Sequence, residues 1–184
     1  YQSFASALEQ KSDFHPAAYY WALYLNSQSQ FSQADEQFAH AVNAARTAGP
    51  DQLPIYLTKW VENLMAAQAA SDQAGQVADT FSNNPTPEAA FFVGFVRVFQ
   101  DRFDDANLAF SDGLKSDRTA VISDIKAKLY YGRSFALFMD SSKNLSDFSF
   151  GPDKSAVMRD ARDALAQSTE PQLKAMVHAL LAYT

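Results

Sequence analysis

The chain has 184 residues, with 15 Lys+Arg against 21 Asp+Glu, a formal net charge of −6, 47% apolar residues and 20% charged ones. That balance describes a folded chain able to bury a sizeable core, and it excludes both disorder and a basic nucleic-acid surface. Zero Cys excludes disulfides, thiolate metal sites and a cysteine nucleophile, and no stretch approaches the roughly 18 uncharged apolar residues of a membrane span. Neither a nucleic-acid partner nor membrane insertion is therefore expected. Scarce Lys with abundant Ala, Gln and Ser leans towards a bacterial periplasmic or exported protein, and no basic-then-apolar leader follows Tyr1.

Strand signals are nearly absent. Apolar residues recur at three- and four-residue steps, the period of amphipathic helices. In chain order the spacing predicts helices over 2–10, 16–28, 31–47, 51–69, 71–82, 87–99, 103–115, 118–140, 153–167 and 171–183. Gly49-Pro50, Pro85-Thr86-Pro87, Gly151-Pro152 and Glu170-Pro171 separate the apolar-periodic blocks. Pro16, Pro87 and Pro171 sit at or near a first helical position, where a missing N–H costs least. Ser71 is a candidate N-cap, and Gly75 is expected to interrupt the helix that follows it.

The blocks repeat. Ala22 matches Gly94, Phe31 matches Phe103, Ala34 matches Ala106, Phe38 matches Phe110 and Ala41 matches Gly113, each pair 72 positions apart without a gap. Two units of about 36 residues span that distance, close to the period of a helix-turn-helix repeat. Small residues let the two helices of a hairpin approach closely, and the aromatic at the turn plugs the seam.

On these residues the chain resembles the tetratricopeptide repeat family. The runs from Phe31 through Ala34 and Phe38 to Ala41, and from Phe103 through Ala106 and Phe110 to Gly113, are similar to the family's second helix. Residues 51–83 fit a looser unit, with Ala74 and Ala78 at small-residue positions. A fourth carries Tyr131-Gly132, then Ala161 and Ala164, around a swollen turn at 141–152. Phe148 and Phe150 in that turn are expected to pack back onto the array. The resemblance implies an all-α, right-handed superhelix of antiparallel helical hairpins. About four units plus flanking helices would form a single domain over 1–184, a fragment of a longer chain.

The resemblance also implies a site. First-helix residues spaced three to five apart line the family's inner groove, which holds a partner's peptide segment. On this chain that spacing falls on Tyr19, Leu23, Asn26 and Ser27, then on Glu88, Phe91, Phe95, Val98 and Phe99, then on Lys126, Leu129, Arg133 and Leu137. The run from Phe91 to Phe99 is hydrophobic nearly all round, so its helix is either buried on several sides or presents an apolar patch to a partner. The groove lacks the Lys/Asn clamp with which some relatives hold a C-terminal carboxylate.

Catalytic motifs are missing. No nucleotide, zinc-protease, calcium or dinucleotide signature occurs. Ser123-Asp-Ile-Lys126 has the spacing of a serine acyl-enzyme motif, but its companion elements are absent, and a solvated helix face accounts for it. Glu36 and His40 stand one helical turn apart without a second ligand pair, which reads as a surface contact. Asp35-Glu36 and Asp104-Asp105 lie just inside helix starts, where acidic groups favourably face the dipole. Trp21 and Trp60 are expected in hairpin cores, and Asn144-Leu-Ser146 fits a glycosylation acceptor. No cofactor is implied.

The reading is a non-enzymatic scaffold that binds a protein or peptide partner on its concave face. The alternatives are a helical accessory domain of a larger cell-envelope enzyme, as in lytic transglycosylases, and a secretion chaperone. The last predicted helix ends Ala-Leu-Leu-Ala-Tyr without a polar cap. It is therefore expected to meet more of a longer chain or a second subunit.

Overall fold

The computed structural model describes residues 2–81, 85–116, 123–143 and 152–184, and among these the chain is entirely helical and irregular, without strands. The helices are α1 Gln2–Gln10, α2 His15–Ser27, α3 Phe31–Ala48, α4 Leu53–Ala67, α5 Asp72–Phe81, α6 Pro87–Phe99, α7 Phe103–Lys115, α8 Ser123–Lys143, α9 Pro152–Gln167 and α10 Pro171–Ala182. Most of the swollen turn, including Phe148, Phe150 and the Asn144-Leu-Ser146 acceptor, lies outside the described residues, as do residues 117–122.

Local chemistry explains the helix starts. Pro16, Pro87 and Pro171 fall in the first turns of α2, α6 and α10. The Ser71 hydroxyl accepts from the Ala74 N–H at 3.1 Å, the expected N-cap, and the Thr86 hydroxyl accepts from the Ala89 N–H at 3.2 Å. The expectation for Gly75 is corrected: α5 runs straight through it, with its N–H donating to the Ser71 carbonyl at 3.0 Å. A buried glycine costs helix propensity of only about 1 kcal/mol, less than the packing of Ala74, Val77 and Ala78 beside it returns.

The helix ends repeat as closely as the sequence does. After α2, Ser29 adopts φ 57°, and the Gln30 N–H donates to the Leu25 carbonyl at 2.9 Å. After α6, Asp101 adopts φ 61°, and the Arg102 N–H donates to the Arg97 carbonyl at 2.9 Å. Both are Schellman closures with a left-handed residue that is not glycine. Gln68 closes α4 with φ 52° in the same way, its neighbour Ala69 donating to the Leu64 carbonyl at 3.4 Å. Turns of one kind thus end three helices, and after α2 and α6 they fold the chain back so that α3 packs on α2 and α7 on α6.

The chain divides into two compact units, residues 1–81 and 82–184. In the first, α2 and α3 form a hairpin through Ala18, Ala22, Ala34 and Ala41, all fully buried. Helix α1 packs on α2, and α4 and α5 pack on α3. Phe38 of α3 and Trp60 of α4, both fully buried, stack with ring centroids 6.3 Å apart. Burial of rings this size contributes about 2–3 kcal/mol each. Trp21 is only half-buried.

In the second unit α6, α7 and α8 pack on one another, α9 pairs with α8, and α10 lies against α9 and α8. The ring of Phe110 is the centre of that packing, held between Gly94 of α6 and Gly132 of α8. Among the described residues no helix is long and apolar enough to cross a membrane.

Candidate functional site

In the first unit, α2 and α4 lie side by side. Tyr19 stacks on Tyr56 at 4.2 Å, and the Asn26 amide donates to the Asn63 side-chain oxygen at 2.8 Å. Both pairs are 37 residues apart, so the two helices run in the same direction. Asn63 in turn donates to the Phe31 carbonyl at 3.1 Å, tying the seam to the start of α3. His15 meets the Tyr56 hydroxyl through Nδ1 at 2.9 Å, and its ring fills the space beside Gly49.

Of the residues expected on this face, Tyr19 is buried, while Leu23 and Asn26 are half-buried. Beside them stand two rings that the three-to-five spacing did not select: Tyr20, 57% exposed, and Tyr24, 42% exposed. They lie one helical turn apart on α2 and make its outer edge aromatic. Burial raises the pKa of the Tyr19 phenol, with Tyr20 and then Glu62 adding to it; burial likewise raises that of Tyr56, with Tyr19 and Tyr20 adding. The Tyr19 and Tyr56 hydroxyls therefore keep their protons, able to donate as well as accept.

In the second unit the expected residues fall on the same face of α6. Phe91, Phe95 and Phe99 form a ladder, with centroids 5.1 and 6.2 Å apart, and α8 completes it with Tyr131 and Phe135, each stacked near Phe95 at 6.3 and 6.2 Å. Phe95 is 0% exposed, Phe91 is also buried and Phe99 is half-buried. Of the two readings of this apolar helix, its packing corresponds to burial on several sides, with Phe92, Val93, Val96 and Val98 buried as well. Glu88 is half-buried in the first turn of α6, and Lys126 is half-buried on α8.

Arg133, also among the expected residues, is engaged inside the unit. Its guanidinium donates to the Asp160 carboxylate through Nε at 2.6 Å and Nη2 at 2.9 Å, and to the Ser111 hydroxyl at 3.2 Å, while it lies over the Tyr130 ring at 5.6 Å. Asp160 is 1% exposed, so this fork neutralises a buried carboxylate and joins α7, α8 and α9. The Asp160 hydrogen bonds raise the Arg133 pKa further above its ordinary value.

Asp35 is a second buried carboxylate, 4% exposed, which accepts from the indole N–H of Trp60 and from the Ser71 hydroxyl. It faces α4 and α5, not only the start of its own helix. Desolvation raises its pKa, against the lowering effect of Ser71 and Trp60. His40, read as a neighbour of Glu36, instead meets the Ser12 carbonyl. Among the described residues no three His, Cys, Asp or Glu side chains gather where they could hold a metal ion. What this surface offers chemically is aromatic area, amide groups and tyrosine hydroxyls on the first helix of a hairpin.

Sequence reasoning reached Tyr19, Asn26, Phe91 and Phe95, named Tyr131 only as part of the fourth repeat unit, and missed Tyr56, Asn63 and Phe135. The missing signal was an offset of 36 or 37 from residues already chosen: Tyr56 and Asn63 follow Tyr19 and Asn26 by 37, and Tyr131 and Phe135 follow Phe95 and Phe99 by 36. No protein-family model, curated protein or solved structure matches the chain.

Proposed function

We propose that the chain is a non-catalytic interaction scaffold of tetratricopeptide-like helical hairpins, which takes a partner protein segment against the first helices of those hairpins. One observation carries the reading. In each unit, side chains 36 or 37 residues apart meet: Tyr19 with Tyr56, Asn26 with Asn63 and Asp35 with Ser71 in the first, Phe95 with Tyr131 in the second. Hairpins of about 36 residues stacked in one direction place equivalent helices side by side with that offset. The shared turn geometry at Ser29 and Asp101 supports the same repeat.

Stacking leaves one row of first helices facing outwards, and on α2 that row carries Tyr20, Leu23 and Tyr24. Tyrosine suits a docking surface because it supplies large contact area and a polar tip with few rotatable bonds. The test is selection of a displayed random-peptide library on the purified chain. Calorimetric titration of enriched peptides into wild type and into the Tyr20→Ala, Tyr24→Ala double variant follows. Peptides that bind wild type and lose affinity for the variant, at unchanged helicity by circular dichroism, support the scaffold reading. A selection without enrichment, or peptides indifferent to the double substitution, would overturn this placement of the site.

A further inference from the structure

We propose that the tyrosine face of α2 takes an arginine-rich segment of a partner protein. The inference rests on the docking role argued above and adds to it the chemistry of the occupant.

Charge divides unevenly between the units. Residues 1–81 hold three Lys+Arg (Lys11, Arg46, Lys59) against eight Asp+Glu, a net −5, while residues 82–184 hold twelve against thirteen, a net −1. The three cations of the first unit are all engaged within it. Lys11 lies over the Phe14 ring at 6.0 Å, Arg46 over the Phe81 ring at 5.5 Å, and Lys59 pairs with Glu62 at 2.8 Å. The field around this unit is therefore negative and favours a cationic partner on approach.

The α2 face converts that attraction into a specific site. The helix carries no Asp, Glu, Lys or Arg, so an incoming cation meets neither a competing lysine nor a repelling one along it. Tyr20, packed edge-on with Tyr19 at 5.4 Å, and Tyr24 leave exposed ring area one turn apart, and an arginine guanidinium stacks on such area while donating to nearby oxygens. Two carboxylates lie on neighbouring segments: Asp13 stands two residues before α2, and Glu62 of α4 adds its charge to the raised pKa of Tyr19, after burial and Tyr20. The Lys59–Glu62 pair is exposed and one turn apart on α4, a pairing weak enough for an arriving guanidinium to share the carboxylate. An acidic segment would meet the reverse of each of these terms. A neutral aromatic-binding segment would leave the charge asymmetry without a use.

The test uses capped synthetic peptides of alternating arginine and serine, with citrulline replacing arginine in the control. Citrulline keeps the planar shape and removes the charge. Each is titrated into the full chain at low and at physiological salt. The arginine peptide is expected to bind at least about tenfold more tightly than the citrulline one, with affinity falling as salt rises. Tyr20→Ala, Tyr24→Ala leaves the charge unchanged and is expected to weaken the arginine peptide about tenfold. Tyr20→Leu, Tyr24→Leu keeps apolar bulk without the rings and is expected to do the same; it replaces the alanine pair should that lose helicity.

Equal binding of the citrulline peptide would overturn the cationic preference, and undiminished arginine binding to both double variants would overturn the site. The library selection separates the two levels. Enriched peptides that need Tyr20 and Tyr24 but lack basic residues leave the docking role standing and remove this inference. No enrichment removes both.

Discussion

The ring of Phe110 occupies the space in which a side chain on Gly94 would stand: a Cβ there would lie 2.4 Å from its Cε1 and Cζ atoms. A Cβ on Gly132 would meet the same ring at 2.5 Å. In the matching register of the first unit the corresponding residues are Ala22, Phe38 and Trp60, so there the small partners are replaced by a methyl and an indole. The two aromatic plugs are alike in sequence and differ in what encloses them. Gly94→Ala and Gly132→Ala are each expected to destabilise by about 1–3 kcal/mol in urea unfolding, with part of the loss recovered by Phe110→Leu. A Gly94→Ala chain as stable as wild type would show that α6 and α7 are not held this close.

The hairpin turns store a small strain. Ser29 and Asp101 adopt left-handed backbone angles that favour glycine. Ser29→Gly and Asp101→Gly are each expected to stabilise by up to about 1 kcal/mol. The two turns belong to different compact units, and the double variant should show nearly additive midpoints in denaturant.

Asp35 binds two donors in a place that disfavours its charge. Its folded pKa lies above the unfolded one, so the carboxylic acid is the better-tolerated form. Stability is accordingly greatest below the unfolded value and falls as pH rises through the folded one. Asp35→Asn removes the titration, and its neutral amide can still accept from Trp60. The variant should be at least as stable as wild type at pH 7 and lose this part of the pH dependence. Asp35→Ala removes the acceptor of Trp60 and Ser71 and should cost about 1–3 kcal/mol. Trp60 fluorescence against urea and pH reads both.

Arg133 and Asp160 predict a different pattern, since here charge meets charge. Arg133→Ala leaves a carboxylate buried, with the exposed Arg159 at 3.8 Å its one remaining cation among the described residues, and should cost about 3 kcal/mol. Arg133→Lys keeps the charge but not the two-pronged geometry and should cost about 1–2 kcal/mol. Replacing both, as Arg133→Met with Asp160→Leu, should recover most of the loss, because an apolar pair needs no compensation in a dry site. If the double variant were no better than Arg133→Ala, the fork would owe its value to packing on Tyr130 instead.

Alkali should unfold the second unit through Tyr131. Burial pushes its pKa up to about 12, while the unfolded chain ionises near the ordinary value of about 10. Below that value the residue has no linkage effect. Between the two, unfolding is favoured increasingly, by about 2 kcal/mol at the top of the range. Tyr131→Phe should flatten stability over that interval, measured by urea unfolding at stepped pH. An identical alkaline decline in the variant would assign the effect to other phenols such as Tyr19 and Tyr56.

The sequence by itself determined the helical class and, apart from α8, expected from 118 and described from Ser123, the helix starts to within two residues. These follow from signals local to a few turns: apolar spacing, prolines in first turns, Ser71 at a cap, and aromatic and small residues returning every 72 positions. Gly75 marks the limit of that logic, because a local penalty of about 1 kcal/mol is outweighed once α5 has α3 to pack against. Only the tertiary structure decided which outward-looking residues are outward. Phe95 and Arg133 share the spacing of Tyr19 and Leu23, yet one is sealed within an aromatic ladder and the other is locked to Asp160. Tyr20 and Tyr24 fell outside the chosen spacing and are exposed. The helical period records which residues share a face. What lies against that face is set by residues about 36 positions away, through packing whose energy no local pattern carries.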